Sequence, residues 1–211
     1  PYDRCTAVID GFGNVGRSAA EGMYEEGIRV IGLSDTSGAI FREAGLDVPE
    51  IVEHKLAGKP LADYRAAGVQ HIGREALLRT PCTVLATCAV GETVTGDNAG
   101  DIQAQVVLEC GNAQVTPGAD AVLEEREITV IPDLVATPGG VIVDYFERVQ
   151  NVQSLMWDEY EVNRMMKNLV LKTFDRVWEG ALEYGVSLRM AAFVLALDKV
   201  CLAKKIRGIF P

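Results

Sequence analysis

Histidine is scarce in this 211-residue sequence, aromatic residues make up only 7%, and long apolar runs are absent. With two histidines and no C-x-x-C pair among its five cysteines, the sequence lacks the ligand spacing of a zinc site. The cysteines are odd in number and irregularly spaced, which argues against a disulfide scaffold and favours reduced thiols in the cytoplasm. No stretch reaches the roughly 18 apolar residues that cross a bilayer, so we expect no membrane segment.

Basic residues are also fewer than acidic ones. The chain has 20 Lys and Arg against 30 Asp and Glu, a net charge of −10, whereas nucleic acid and anionic membranes select basic surfaces. The length allows one large domain, or one domain with an appendage. The chain starts at Pro1, without Met and close to its first predicted strand, and we therefore expect a fragment or a processed protein.

Glycine, by contrast, is plentiful, and three glycines form a G-x-G-x-x-G motif within residues 8–16. An apolar strand precedes the motif and a helical stretch to residue 26 follows it, as in dinucleotide-binding βαβ units. Gly11 permits the tight turn, Gly13 lets a pyrophosphate approach the backbone, and Gly16 lets the helix pack on the sheet. The helix N-terminus supplies N–H groups to the anion. The alternative is a doubly wound sheet whose glycine turn binds no nucleotide.

Asp35 ends the second predicted strand, about 20 residues past Gly16, where a ribose-binding acid is expected. Its carboxylate would accept both ribose hydroxyls and repel a 2′-phosphate, which favours NAD over NADP. The alternative is a turn or helix-cap aspartate.

Strands at residues 7–9, 30–33, 83–86, 106–109 and 128–131 alternate with helices at 14–26, 48–56, 74–79, 97–105, 116–126 and 141–153. The alternation predicts a Rossmann-type, doubly wound parallel α/β sheet with right-handed crossovers. Ligands bind outside the carboxyl ends of such strands. We therefore expect the residues that follow those ends to line one crevice, namely Gly11, Asp35, Thr87, Asn112 and Thr137.

No strand follows residue 158. Asp158 and Glu161 make a capping-box start, Gly185 ends that helix, and Ser187 caps another. We predict a dinucleotide-binding domain over residues 1–153 and a C-terminal helical appendage over residues 154–211, packed on that domain and on an absent substrate domain.

Motifs along nearly the whole chain resemble one enzyme family. They are residues 11–16 (GFGNVG), 34–40 (SDTSGAI), 45–47 (GLD), 82–85 (CTVL), 98–99 (NA), 109–112 (ECGN), 116–120 (TPGAD), 131–133 (IPD), 139–141 (GGV), 145–147 (YFE), 149–151 (VQN), 185–189 (GVSLR) and 195–197 (LAL). The chain is thereby similar to the NAD-binding, C-terminal part of the glutamate/leucine/phenylalanine/valine dehydrogenases, and to the glutamate dehydrogenases most.

The resemblance implies oxidative deamination of an amino acid to a 2-oxo acid and ammonia, with hydride transfer to a nicotinamide. It places the substrate-binding and catalytic lysines and aspartate on an N-terminal domain, so no catalytic residue is assigned in this chain. We expect the chain alone to bind a dinucleotide and to catalyse nothing. Multimers are typical of the family, and a homo-oligomer is possible for this chain.

The resemblance also implies which residues hold the cofactor. It assigns the adenine ribose to Asp35 and the nicotinamide side to Asn112, for which a left-handed turn residue after Gly111 is the alternative. The full set of expected cofactor-binding residues is Gly11, Gly13, Asn14, Val15, Gly16, Asp35, Thr36, Thr87, Asn112 and Thr137.

The chain departs from the family pattern at the nicotinamide and substrate end. Thr137 and Pro138 stand where the family has Asn-Ala, and Asp144 stands where glutamate dehydrogenases have a serine that helps to hold the substrate carboxylate. Two carboxylates repel each other by about 1 kcal/mol at ~4 Å even in water. A regulatory paralogue that only binds NAD, and a dehydrogenase with altered specificity, therefore stay open as alternatives.

Overall fold

A computed structural model of the chain describes residues 2–208. Its strands are β1 (Thr6–Asp10), β2 (Arg29–Asp35), β3 (Gly38–Phe41), β4 (Gln70–Ile72), β5 (Cys82–Thr87), β6 (Ala104–Glu109) and β7 (Thr129–Ile131). Its helices are α1 (Asn14–Glu25), α2 (Val48–Leu56), α3 (Arg74–Leu78), α4 (Pro117–Glu125), α5 (Asp133–Ala136), α6 (Gly139–Gln153), α7 (Glu159–Tyr184) and α8 (Leu188–Arg207).

The strands form one seven-stranded sheet in the order β4-β3-β2-β1-β5-β6-β7. The five strands from β2 to β7 in that order run parallel, and β3 and β4 add an antiparallel edge. The chain winds outward from β1 in one direction through β2, and in the other through β5. The predicted doubly wound α/β fold is therefore confirmed, and the winding reverses between β1 and β5, where such sheets bind ligands.

Apolar residues cover both faces of the sheet, as the near-continuous apolar runs of buried parallel strands require. On one face α1 and α2 close a core that contains Ile9, Leu33 and Ile51. On the other face α3 and α4 close a core that contains Leu77 and Leu123. The sheet is thus packed on both faces, and the loops that contain the expected cofactor-binding residues follow the carboxyl ends of its strands.

The predicted helix at residues 97–105 is wrong. The structure has only a short 3-10 turn, Ala99–Asp101, before β6 begins at Ala104. The side chain of Asn98 accepts from the Thr95 N–H at 2.8 Å and donates to the Thr93 carbonyl at 3.0 Å. This local hydrogen bonding competes with a helix. The strands β3 and β4 and the single-turn helix α5 were not predicted.

Helices α7 and α8 begin where the capping residues predict, and α7 also ends at its predicted residue. Asp158 and Glu161 form the capping box of α7, Gly185 ends it in the left-handed conformation, and Ser187 caps α8 through the Met190 N–H. α7 packs against α6 and α8. The helical C-terminal appendage is therefore present.

The chain divides into two compact units, residues 1–133 and 134–211. The domain boundary predicted at residue 153 stays a prediction. Within residues 2–208, no helix combines the length and apolarity needed to cross a membrane.

Candidate dinucleotide site

The glycine turn joins β1 to α1 and takes its shape from two glycines. Gly11 has a φ of +99°, and its N–H points to the carbonyl oxygen and the hydroxyl of Ser34, both at 3.1 Å. A Cβ on Gly11 would lie 2.5 Å from the Ala89 nitrogen, and one on Gly16 would lie 1.8 Å from the Gly11 carbonyl oxygen. Only glycine allows this close approach of α1, β1 and the loop after β5.

Gly13, the middle glycine of the motif, faces open space. A Cβ on Gly13 would meet nothing within 4 Å, although Gly13 is the N-cap residue of α1. No side chain of the described residues caps α1 at this position. The first-turn N–H groups of a helix have no partner within that helix, so they are available to an anion. A pyrophosphate therefore fits this turn, and the residues present match the group that the motif predicts.

Asn14 and Val15 are exposed in the first turn of α1, whereas Gly16 is buried. The turn thus presents Gly13, Asn14 and Val15 outward while Gly16 anchors the helix. Their cofactor contacts stay a prediction.

A buried carboxylate, that of Asp10, directly precedes the glycine turn. Asp10, at the end of β1, has no exposed surface and receives two hydrogen bonds from Arg74, Nε to Oδ1 at 2.7 Å and Nη2 to Oδ2 at 2.6 Å. The Ser34 hydroxyl donates to Oδ1 at 2.7 Å, and Thr93 Oγ1 lies 3.2 Å from Oδ2 and 2.8 Å from Gln114 Oε1. The network joins β1, β2, α3 and the loops after β5 and β6. The hydrogen bonds to Asp10 raise the pKa of Arg74 above its ordinary value.

Asp35 lies at the end of β2 as predicted, but its carboxylate already has partners. Lys55 Nζ is 2.5 Å from Oδ2 and the Leu61 N–H is 3.2 Å from it, while the N–H of Ser37 donates to Oδ1 at 2.7 Å. The Ser37 hydroxyl also donates to Oδ1. Burial by itself would raise the pKa of Asp35, but hydrogen bonds led by the one from Lys55 outweigh it and hold that pKa below its ordinary value. These contacts are those of a turn aspartate, the alternative to a ribose-binding acid. The hydroxyls of a bound ribose would have to replace some of these hydrogen bonds.

The other expected residues of the N-terminal unit also follow strand ends. Thr36 is exposed beside Asp35, and Asn112 is exposed after β6. Thr87 is fully buried at the end of β5, and its hydroxyl donates to the Leu108 carbonyl at 3.4 Å. The left-handed residue of the loop after β6 is Ala113, with a φ of +50°, so the alternative that made Asn112 the left-handed turn residue is wrong.

Thr137 and Asp144 belong to the C-terminal unit. Thr137 is half-buried between α5 and α6, and Asp144 is exposed on α6. The predicted contact of Thr137 with the nicotinamide side stays a prediction.

Sequence reasoning missed the partners that fix the two carboxylates. Arg74 is 64 residues from Asp10 and Lys55 is 20 residues from Asp35. One signal was present for Asp10, since a charged residue within an apolar strand requires a buried partner. The sequence offered no means of naming that partner.

Comparison with known proteins identifies the family. The sequence model of the glutamate/leucine/phenylalanine/valine dehydrogenases matches residues 2–208. A glutamate dehydrogenase of Thermotoga maritima is 37% identical over 99% of the chain, and the catabolic NAD-specific glutamate dehydrogenase RocG of Bacillus subtilis is 34% identical over 95%. The chain spans about half of each, 50% and 47% of their lengths.

Solved structures agree with the sequence relatives. The hetero-hexameric glutamate dehydrogenase of Thermus thermophilus, in its leucine-bound form, matches 98% of the chain with a TM-score of 0.88 and 30% identity, over 48% of its own length. The glutamate dehydrogenase of Peptoniphilus asaccharolyticus matches 99% of the chain with a TM-score of 0.81 and 30% identity, also over 48% of its length. Sequence, fold and glycine turn agree, and the chain belongs to the glutamate/leucine/phenylalanine/valine dehydrogenase family.

Proposed function

We propose that this chain is the NAD-binding, C-terminal half of a glutamate dehydrogenase-type amino-acid dehydrogenase. One observation carries the proposal. At the point where the sheet reverses its winding, Gly11 and Gly16 are packed too closely for any side chain, while Gly13 faces open space at an uncapped helix N-terminus. This turn has the room and the N–H groups that a pyrophosphate requires.

The proposed binding mode follows the strand ends. The pyrophosphate lies on Gly11, Gly13, Asn14, Val15 and Gly16, the adenine ribose on Asp35 and Thr36, and the nicotinamide side near Thr87 and Asn112. The family resemblance by itself supports a role in cofactor binding for Thr137. The nicotinamide would supply hydride transfer when bound, and the residues of this chain position it. Substrate binding, catalysis, assembly into multimers and a cytoplasmic location are proposals for the whole protein, which we expect to be about twice this length.

A change at Gly13 tests the pyrophosphate site without disturbing the fold. An aspartate fits there because nothing lies within 4 Å of the new Cβ and the backbone has the extended conformation of an N-cap. Aspartate is a good N-cap residue, so Gly13→Asp should keep or slightly raise the stability. Its carboxylate would repel the pyrophosphate.

The measurement is the melting temperature with and without NAD. At about 100 times Kd, a ligand that binds only the folded state adds ~2.7 kcal/mol of stability. We expect a clear rise for the wild-type chain and none for Gly13→Asp. An equal rise in both proteins would place the dinucleotide elsewhere, and no rise in either would overturn the proposal.

The proposed preference for NAD over NADP rests on Asp35. Its carboxylate would repel a 2′-phosphate, but Lys55, 2.5 Å away, offsets part of that repulsion. We therefore expect Lys55→Met to strengthen the preference for NAD and Asp35→Ser to weaken it. Equilibrium titrations of the three proteins with both dinucleotides test this. If the ratio of the Kd for NADP to the Kd for NAD is the same in all three proteins, Asp35 does not contact the ribose.

A further inference from the structure

Two cysteines directly follow the adjacent strands β5 and β6, beside the point where the sheet reverses its winding. Thr87 of β5 pairs with Glu109 of β6, and Cys88 and Cys110 are the residues that come next in the chain. The Cys110 N–H donates to the Thr87 carbonyl at 3.0 Å, and the Cys88 N–H donates to the Asp10 carbonyl at 2.7 Å. The strand alignment therefore continues as far as the two thiols.

Both side chains project from the same face of the sheet. Side chains on one face recur every second residue, and Cys88 and Cys110 follow Ala86 and Leu108 by two positions. All four pack with the core under α1 and α2. Neighbouring strands lie about 4.8 Å apart, within the Cα separation of about 4.4–6.8 Å that a disulfide requires. In this structure both cysteines are reduced and half-buried.

A hydrogen bond between the two thiols shifts their pKa values in opposite directions. Donation from the Cys88 thiol lowers the pKa of Cys110, while the same bond and burial raise that of Cys88. Cys110 is therefore the better nucleophile of the pair, because the thiolate is the reactive form. Burial raises the pKa of Cys82 to about 12, which makes that thiol inert by comparison.

Cys88 also packs against the glycine turn. A Cβ on Gly16 would be 3.3 Å from Cys88 Cβ, and one on Gly11 would be 2.7 Å from the Cys88 carbonyl carbon. Cys88 follows β5, the strand next to β1 at the reversal of winding. A dinucleotide bound at that reversal lies in the crevice outside the carboxyl ends of β1 and β5, next to Cys88.

We infer that Cys88 and Cys110 form an oxidisable dithiol that hydrogen peroxide converts to a disulfide and that the bound dinucleotide shields. The shielding rests on the proposed function, whereas the disulfide does not. The Cys110 thiolate attacks the peroxide, an S–O bond forms, and the O–O bond breaks. The hydroxide that leaves takes up the proton that the Cys110 thiol lost on ionisation and becomes water. Cys88 then attacks the sulfenic sulfur, the S–S bond forms, and the oxygen leaves as water with the Cys88 proton. The two thiols are oxidised and the peroxide is reduced to two waters.

The first test is a thiol count on the 211-residue chain treated with hydrogen peroxide. We expect the five free thiols to fall to three, with a mass loss of about 2 Da and full recovery on addition of dithiothreitol. A peptide map of the wild-type protein should show Cys88 linked to Cys110, and this readout needs no variant. Cys110→Ala should abolish the loss of 2 Da, and the exposed control Cys201→Ala should retain it. Five thiols after treatment, or a different linked pair, would overturn the inference.

The second test repeats the oxidation with NAD at about 100 times its Kd. If only the free chain is oxidised, the rate should fall about 100-fold. A rise in melting temperature without protection would overturn the shielding and leave the NAD site intact. No rise in melting temperature would refute the NAD site and the shielding together, and the thiol count would still decide the disulfide.

Discussion

A methyl group on Gly16 would lie 1.8 Å from the Gly11 carbonyl oxygen, a backbone atom that cannot rotate away. We expect Gly16→Ala to lower the free energy of unfolding by about 3 kcal/mol, the upper end of the usual range for overpacking. Gly22 of the same helix is the matched control. Its new Cβ would meet nothing within 4 Å, so Gly22→Ala should stabilise α1 by about 0.5–1 kcal/mol. Urea unfolding of both variants measures the difference, and equal effects would contradict the close packing at Gly16.

The Asp35 carboxylate gives a prediction about pH. Because its folded pKa lies below the unfolded value of 3.8, its contribution to stability is complete above that value. The contribution is lost as the pH falls below 3.8 through the lower folded pKa. The difference in unfolding free energy between wild type and Asp35→Asn should therefore shrink as the pH falls below 3.8.

Removing Lys55 tests the cause of this pH dependence. Lys55 donates the foremost of the hydrogen bonds that lower the Asp35 pKa, so Lys55→Met should reduce the shrinkage in that range. A pH dependence that Lys55→Met leaves unchanged would show that the N–H and hydroxyl groups of the neighbouring loops hold the carboxylate instead.

Local sequence signals predicted where individual site residues lie. They did not predict which residues from distant elements bind them. The apolar run at residues 30–33 placed Asp35 at a strand end, and its spacing from Gly16 suggested the ribose-binding role. Its contact with Lys55 depends on how α2 returns to the sheet, which no local pattern encodes. The same holds for Arg74, because the sequence gives no reason to join α3 to Asp10 rather than to another acid.

At the scale of elements, Arg74 fastens α3 to the end of β1. Asp10 is fully buried and keeps only hydroxyl donors if the guanidinium is removed. We expect Arg74→Met to cost about 3 kcal/mol, the lower end for a broken buried ion pair, since the Arg74 side chain is itself 47% exposed. Chemical denaturation measures the loss.

The matched control is Arg79, one residue beyond α3. It pairs with Asp101 at 2.9 Å, but both side chains are more than half exposed. Such pairs contribute under about 1 kcal/mol, so Arg79→Met should have little effect. Equal losses in the two variants would mean that the Asp10 network does not stabilise the fold.

The elements that the sequence predicted are those with a strong local signal. The helix that begins after Thr116 is present because Thr116 caps it and Pro117 suits its first turn. The helix predicted at residues 97–105 failed because Asn98 bonds its neighbours' backbone instead. β3 and β4 have four and three residues, too few to show a hydrophobic period. Pairing with β2 stabilises β3, and pairing with β3 stabilises β4.

At the scale of the molecule, the fold class followed from alternation, because consecutive strands and helices of this length have few ways to pack. The division after residue 133 did not follow, since α5 and α6 continue the helical pattern without a break in composition. Which contacts cross a boundary is a property of the folded chain and is not encoded in a local window.

By itself, the chain should bind the cofactor and leave the substrate unbound. It spans about half of its glutamate dehydrogenase relatives, and its net charge of −10 gives a dicarboxylate substrate little general attraction. We therefore expect NAD to bind with measurable heat in a calorimetric titration and glutamate to give none, with or without NAD. NADH formation from NAD and glutamate should stay at the level of the buffer, while the full-length Bacillus subtilis relative, assayed alongside, turns over. Glutamate-dependent NADH formation by the 211-residue chain would mean that this half already contains the substrate site and an acid–base group, with the exposed Asp144 on α6 then the first residue to replace.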